Sequence, residues 1–234
     1  MDRPRSPRVL LVYYTYSQQA LKVVEVMTSV LAERGCEVEQ AAIEFTDPRY
    51  RDRFSRFPLG RPFLTVVGML PAQLRRATGE IRIPEEASGR DYDLVCIGSP
   101  TWWLTTSMPI RSYLESDAAA SVLDRTRFAA FVVCRRYWRN NLKTVKKLGT
   151  KRGGEYLDGI HFTYLGGQVR SLLSLISYLG SGEYRDRYLG LRIPPTNLQP
   201  EHLDAARDFA AKLADELIGG DQPVNPDSAL ARKS

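Results

Sequence analysis

Hydroxyl side chains occupy the turn between the first apolar run of the chain and the first helical pattern. Residues 9–14 are apolar or aromatic throughout, which predicts a buried strand, and Thr15 and Ser17 follow it directly. Ser17 is the predicted N-cap of a helix that Gly35 should end. A helix that starts where a strand ends presents free amides at the sheet edge, where they bind phosphate. An ordinary capped helix after a strand has the same pattern, so the turn alone leaves both interpretations open.

A pair of tryptophans follows a later apolar run, residues 94–97. This run is too short for a helix and predicts a strand that stops at the turn from Gly98 to Pro100, because proline cannot donate to a sheet ladder. Trp102 and Trp103 come next, and a helical segment then begins. Loops of this kind lie at the carboxyl edge of parallel sheets, where open α/β folds bind their ligands. The alternative is that both tryptophans are core or interface residues.

A strongly basic segment begins at the end of another predicted strand, residues 128–134. From Arg135 to Arg152 the chain has eight Lys and Arg residues and no acidic residue. Such a run is usually the solvated face of a helix. Its start at the end of a strand favours contact between its first residues and a ligand.

The order of the predicted elements supplies a scaffold for these turns. Strands are predicted at residues 9–14, 37–45, 94–97, 128–134 and 155–164, and helices at residues 21–31, 110–114, 141–148, 169–179 and 200–218. This alternation predicts an α/β fold, a doubly wound five-stranded parallel sheet with helices on both faces. Residues 1–218 should form a single domain, and residues 219–234 a disordered tail.

Residues 46–87 are too long for an ordinary connection and form a long insertion after the second strand. Arginines alternate there with aromatic residues, and a short helix is predicted from Pro71 to Ala77. We expect the insertion to cover a site at the sheet edge. A solvated loop, or an aromatic and basic surface for lipid or nucleic acid, are the alternatives.

Composition limits the classes of protein to consider. The 234 residues, 43% of them hydrophobic, are enough for one good core, and no apolar run reaches the ~18 residues of a membrane span. The first residues lack the apolar core of a signal peptide, so we expect a cytoplasmic protein.

Three scattered cysteines indicate reduced thiols, and two histidines far from any Cys-x-x-Cys predict no metal site. The net charge of +6 favours anionic partners. The glycine-rich nucleotide loops and the hydrolase nucleophile elbow are absent, which disfavours those enzyme classes.

Three motifs together resemble the flavodoxin-like family of FMN-binding proteins. They are the turn of Thr15 and Ser17, the segment Gly98-Ser99-Pro100-Thr101-Trp102, and the turn that follows Cys134. Within that family, Phe57-Pro58 of the insertion, Trp103-Leu104 and Trp138 are similar to the branch named for dialkylresorcinol-condensing enzymes. The resemblance implies FMN as cofactor and NAD(P)H as electron donor.

The resemblance also implies where the cofactor would lie. The FMN phosphate would be held by Thr15, Ser17, Gln18, Gln19 and Ala20. The isoalloxazine ring would be bordered by Ser99, Pro100, Thr101, Trp102 and Trp103, and on its far side by Arg135, Arg136, Tyr137 and Trp138, with Cys134 before them. The sequence departs from the family at two positions, since Gln18 stands where glycine is common and Ala20 where a hydroxyl is common. A positive φ at Gln18 would cost ~1 kcal/mol or more, and the change at Ala20 would lose a hydrogen bond worth ~1.5–3 kcal/mol.

The activity implied is that of an FMN-dependent NAD(P)H oxidoreductase acting on a quinone-like or cyclic carbonyl small molecule. In that reaction Arg135 or Arg136 would offset negative charge on the flavin, and Tyr137 would supply or relay a proton. Two alternatives stand beside it: an electron carrier, although such flavodoxins are typically acidic, and a flavin-free basic binding module, which the changes at Gln18 and Ala20 favour. We expect no nucleic acid partner, and a homodimer is a general expectation for related folds.

Overall fold

A five-stranded parallel sheet organises the chain. The computed structural model describes residues 5–50, 54, 57–164 and 166–219, and residue 168 only by its backbone. The strands are β1 (Arg8–Tyr13), β2 (Glu37–Ala42), β3 (Leu94–Trp102), β4 (Arg127–Cys134) and β5 (Glu155–Thr163). Their spatial order is β2-β1-β3-β4-β5, and every neighbouring pair is parallel. This order is that of flavodoxin-like doubly wound folds, so the predicted fold class is confirmed.

Helices cover both faces of the sheet because its central strands are apolar on both sides. Helix α1 (Gln19–Glu33) packs with the last helix, α8 (Pro200–Gly219), on one face. On the other face lie α4 (Met108–Leu114), α5 (Asp117–Leu123) and α6 (Trp138–Lys151). Helix α7 (Gln168–Ser181) follows β5. The predicted tail beyond residue 219 lies outside the described residues.

Strand β3 is longer than predicted. It runs through the expected turn to Trp102, and Pro100 pairs in register with Val133 of β4. Proline is tolerated here because β1 already ends at Tyr13, opposite Gly98, so no parallel strand requires an amide at position 100 on that side. The Pro100 carbonyl instead accepts a hydrogen bond of 3.1 Å from the Ser107 amide. Beyond it, residues 105–106 fold back antiparallel on residues 101–102.

The start of α1 also differs from the prediction. Gln18 is the N-cap, with φ 61° and ψ 4°, and no side chain caps the helix, so the prediction of a Ser17 cap was wrong. A left-handed residue turns the chain into the helix at this point, and the Ser17 hydroxyl caps no helix amide. The helix ends at Glu33, and Gly35 follows with φ 87°, which confirms the predicted stop.

The insertion is closed at its base and helical beyond it. Residues Glu44–Phe45 pair antiparallel with Ile81–Arg82, a short strand that the sequence did not predict. Two helices in the described part of the insertion are α2 (Pro62–Gly68) and α3 (Leu70–Leu74), the second of which overlaps the helix predicted from Pro71. Among the described residues no helix is both long and apolar enough to cross a bilayer.

Candidate functional site

Three turns meet at the carboxyl edge of the sheet, where the strand order reverses between β1 and β3. Residue Tyr13 of β1 lies opposite Gly98 of β3, and the backbone amide of Tyr14 donates to the Gly98 carbonyl at 3.3 Å. On the other side of β3, Val133 of β4 lies opposite Pro100. The turns after β1, β3 and β4 are therefore neighbours, as the sequence predicted. This crevice is where doubly wound sheets bind ligands.

The turn between β1 and α1 has free hydrogen-bond donors. The backbone amides of residues 17–21 donate to no acceptor in the part of the chain that the structure describes. The hydroxyls of Thr15 and Ser17 are partly exposed and likewise have no partner among the described residues. Successive amides around a left-handed residue form a concave site that binds anions. The geometry therefore fits a phosphate group.

The two departures from the family pattern have different consequences. Gln18 has a φ of 61°, the condition under which the sequence analysis attached a strain to it, and its side chain is exposed, so it carries the backbone strain without filling the turn. Ala20 is 2% exposed and belongs to the core under β1, together with Val23 and Val24. A methyl group suits that position because it adds no buried polar group.

The buried side chain of Gln19 connects the β1–α1 turn to residues near the end of the chain. It is 3% exposed, and its Oε1 accepts from the Leu198 amide at 2.9 Å. Its Nε2 donates to the Tyr184 hydroxyl at 2.7 Å. Tyr178 stacks on Tyr184 with ring centroids 4.6 Å apart and donates its hydroxyl to the Ser17 carbonyl at 3.1 Å. The segment that includes α7 and the residues after it thus sets the position of the β1–α1 turn.

The hydroxyls of Ser99 and Thr101 form hydrogen bonds with other side chains of the protein. Ser99 is 1% exposed, and its Oγ lies 2.5 Å from the Thr106 hydroxyl. Asn141 of α6 donates to the Thr101 Oγ1 at 2.9 Å and to the Ser99 carbonyl at 3.2 Å. Pro100 between them is partly exposed. These bonds tie the end of β3 to α6 and hold the two turns at a fixed separation.

Both tryptophans contact the insertion. Trp102 stacks on Phe54 with centroids 5.0 Å apart and an interplanar angle of 19°, and it meets Tyr14 edge-on at 5.6 Å. Trp103 donates its indole N–H to the Val66 carbonyl of α2 at 2.7 Å. Their rings are partly buried, and the insertion contacts this side of the edge through the two residues expected to border a flavin ring.

A cavity of about 450 Å³ lies beside the turn between β4 and α6. Its walls are residues 135–140, at the start of α6, and residues 163–164, at the end of β5. They include Arg135, Arg136 and Arg139 and no acidic residue, so the cavity is suited to an anion. Arg135 donates to the Ser171 hydroxyl at 3.0 Å, and burial lowers its pKa, with the nearby Arg136 adding to the effect.

The other residues of this turn differ in exposure. Tyr137 is 40% exposed and has φ 62°, and Trp138 stacks on His161 with centroids 3.6 Å apart. Cys134 is 3% exposed, and burial raises the pKa of its thiol to about 12. A neutral thiol at this position packs against the site and does not act as a nucleophile at neutral pH.

Four residues of this edge were missed by the sequence analysis as parts of the site: Asn141, His161, Tyr178 and Tyr184. Asn141 could have been noticed as a polar residue one turn into α6. The two tyrosines lie more than 150 residues after the turn that they contact. No local pattern connects them to it.

Solved structures similar to this chain include flavoproteins and flavodoxins. A flavoprotein from Lactobacillus acidophilus NCFM, determined in complex with FMN, has a TM-score of 0.51 and 18% identity, over 67% of this chain and 93% of its own. A flavodoxin from the domain Archaea has a TM-score of 0.48 and 10% identity, over 90% of this chain and 99% of its own. Flavodoxin 1 from Bacillus cereus has a TM-score of 0.48 and 13% identity, over 91% and 97%. No family model matches the sequence, and no curated protein matches it. At 18% identity the likeness to the Lactobacillus flavoprotein bears on the fold alone, and it agrees with the strand order of the sheet: the chain has the flavodoxin-like α/β architecture.

Proposed function

We propose that this protein binds FMN and acts as an NAD(P)H-dependent oxidoreductase on a quinone-like or cyclic carbonyl small molecule. The observation that carries the proposal is the set of amides at residues 17–21, and beside them the hydroxyls of Thr15 and Ser17, which have no partner among the described residues and lie at the switch point of the sheet. The Lactobacillus flavoprotein that shares this fold was determined with FMN. The insertion and the tryptophan pair agree with the dialkylresorcinol-condensing branch, which we keep as part of the proposal.

The residues would divide the work of binding as follows. The amides of Gln18, Gln19 and Ala20 and the hydroxyls of Thr15 and Ser17 would hold the phosphate. Residues 99–103 would border the ring on the side of β3. Residues 134–138 would border it on the side of β4, where the cationic cavity opens.

FMN, when bound, would supply hydride acceptance from NAD(P)H and two-electron delivery to the acceptor. The guanidinium groups of Arg135 and Arg136 would stabilise negative charge at the ring, because the cavity they line has no acidic residue. Tyr137 is exposed at the same turn, and its hydroxyl would donate or relay a proton to the substrate. The insertion would exclude water from the face near Trp102.

The test is a titration of the purified protein with FMN, followed by flavin fluorescence, and then NADPH oxidation with a quinone acceptor. We expect Ser17→Ala and Thr15→Val each to weaken FMN binding roughly tenfold or more, since a hydrogen bond to a charged group contributes about 1.5–3 kcal/mol. Thr150→Val, on the exposed side of α6, is the matched control and should bind as the wild type does. A wild-type protein that ignores FMN at high concentration would refute the proposal.

A flavin-free binding protein is the second candidate, and one observation favours it. Phe54 stacks on Trp102, so an aromatic side chain of the insertion already contacts the ring expected to border the flavin. FMN binding by Phe54→Ala together with none by the wild type would show that the insertion blocks the site. Absence of binding by both would favour the flavin-free alternative.

A further inference from the structure

The insertion exposes large apolar side chains on one short stretch. Phe63, Leu64 and Val67 of α2 are 57%, 61% and 41% exposed, and Leu74 of α3 is 60% exposed. Leu104 is 37% exposed and follows Trp103, which is bonded to α2 through Val66. Leu104 is thus next in the chain to a residue that contacts α2, and we call residues 61–76 together with Leu104 the insertion face.

The apolar pattern of α2 is the reverse of that of an ordinary surface helix. The side of the helix that faces the protein contributes Thr65, 8% exposed, and the chain then continues to Met69, 3% exposed. The largest apolar residues point to solvent, whereas a soluble helix normally buries them. Exposed apolar groups of this size mark interaction surfaces.

The charge of the insertion face is entirely positive. Arg61, Arg75 and Arg76 are exposed, and none of them forms an ion pair within the described chain. No acidic residue occurs from Phe57 to Gly79. These apolar side chains lie beside arginines that have no ion-pair partner among the described residues. They complement a partner whose outer layer is anionic and whose interior is apolar.

The structure also holds this face rigidly against the domain. The Leu59 amide donates to the Leu179 carbonyl of α7 at 2.7 Å, and Gly180 of the same helix packs closely against Pro62. Together with the bond between Trp103 and Val66, these contacts fix both sides of α2. A fixed platform spends little conformational entropy when it binds.

We propose that the insertion face docks the protein on the surface of an anionic lipid bilayer. Phe63, Leu64 and Val67 would enter the boundary between headgroups and acyl chains, and the arginines would contact lipid phosphates. The site at the sheet edge would then lie beside the membrane, on the side of Trp103. The proposal is independent of FMN binding, because it rests on residues outside the β1–α1 turn.

The test is co-sedimentation of the full chain with vesicles of phosphatidylcholine, alone or with one third phosphatidylglycerol. We expect binding to the anionic vesicles only, and weaker binding at high salt. Arg61→Gln with Arg75→Gln should weaken it roughly 25-fold, since each basic residue at an anionic surface contributes about fivefold. Phe63→Ser with Leu64→Ser should weaken it roughly tenfold or more.

Residues 187–192 supply matched control variants. Leu189 and Leu191 are 78% and 51% exposed, and Arg187 and Arg192 are exposed, but the acidic residues Glu183 and Asp186 precede them. Leu189→Ser with Leu191→Ser, and Arg187→Gln with Arg192→Gln, should leave vesicle binding unchanged. Quenching of tryptophan fluorescence by brominated lipid tests the contact near Trp103 without any substitution.

Three results would overturn the proposal. The first is no binding to anionic vesicles, with no quenching by brominated lipid. The second is an equal loss of binding in the control variants, which would show non-specific attraction. The third is a change of oligomeric mass in Phe63→Ser with Leu64→Ser while lipid binding persists, which would assign the face to a contact between copies of the chain.

Discussion

Replacing Asp47 with asparagine should loosen the insertion in a way that depends on pH. The carboxylate is 2% exposed and lies at the base of the insertion. It accepts hydrogen bonds from the Arg49 side chain at 2.7 and 2.9 Å and from the Arg49 and Glu80 amides at 2.9 and 3.1 Å. The Arg49 guanidinium lowers the pKa of Asp47 from 3.8 to about 2. The start and the end of the insertion are thus joined through one charged group.

The size of the effect follows from that pKa shift. One pKa unit corresponds to about 1.4 kcal/mol, so a shift of nearly two units gives roughly 1.5–2.5 kcal/mol after allowance for solvent screening of Arg49. Because the folded-state pKa is lowered, this stabilisation is present above the unfolded pKa of 3.8 and is lost as pH falls towards 2. Half of it should remain at about pH 3.

The assay is urea unfolding of the wild type and Asp47→Asn at about pH 6 and pH 3, read as the difference in the free energy of unfolding. Glu44→Gln is the matched control at the same base, since Glu44 pairs with Arg82 at 2.9 Å but both side chains are mostly exposed. The control should cost less than about 1 kcal/mol. The reasoning is refuted if Asp47→Asn costs no more than Glu44→Gln, or if its cost does not shrink at the lower pH.

Three further predictions concern the turn between β1 and α1 and the thiols. Gln18→Gly should be more stable than Gln18→Ala by about 1 kcal/mol in urea unfolding, because only glycine adopts φ 61° without strain; equal stabilities would contradict this. Tyr178→Phe should lower the free energy of unfolding by about 0.5–1.5 kcal/mol through loss of its bond to the Ser17 carbonyl, whereas Tyr188→Phe should change it little. Cys36, Cys96 and Cys134 should resist a thiol reagent in the native protein and react in urea, because all three are buried and burial raises the pKa of each thiol; rapid native labelling would disprove it.

The sheet could be predicted because its signals are local. The apolar runs at residues 9–14 and 128–134 have the length and composition of buried strands, and each is followed by a helical pattern. The end of β3 could not be predicted in the same way, because the tolerance for Pro100 depends on where β1 stops beside it. That information lies in the register of two strands more than eighty residues apart.

The sequence predicted the turns of the candidate site but not the hydrogen bonds that connect them. Thr15 and Ser17 are recognisable from their position after a strand, and they do lie at the switch point. The use of the Ser99 and Thr101 hydroxyls by Thr106 and Asn141 depends on tertiary contacts that no spacing reveals. The same holds for Tyr178, which reaches the turn from the other end of the chain.

Two helices at the site begin with a left-handed residue that is not glycine, and this choice is informative. Gln18 before α1 has φ 61°, Tyr137 before α6 has φ 62°, and neither helix has a side-chain cap. The described N-cap residues of α2, α3, α4, α5 and α7 all have negative φ, and among these five helices only α5 has a side-chain cap, in which Ser116 accepts from the Ala119 amide. A left-handed residue of this kind costs about 1–3 kcal/mol, and such strain concentrates at functional sites. At the site, therefore, the fold carries strain on both sides of β3 and leaves amides of residues 17–21 without an acceptor among the described residues. An anionic ligand that bound those amides would offset both costs, which is why the β1–α1 turn, more than the tryptophan pair, is the place to test for the proposed FMN.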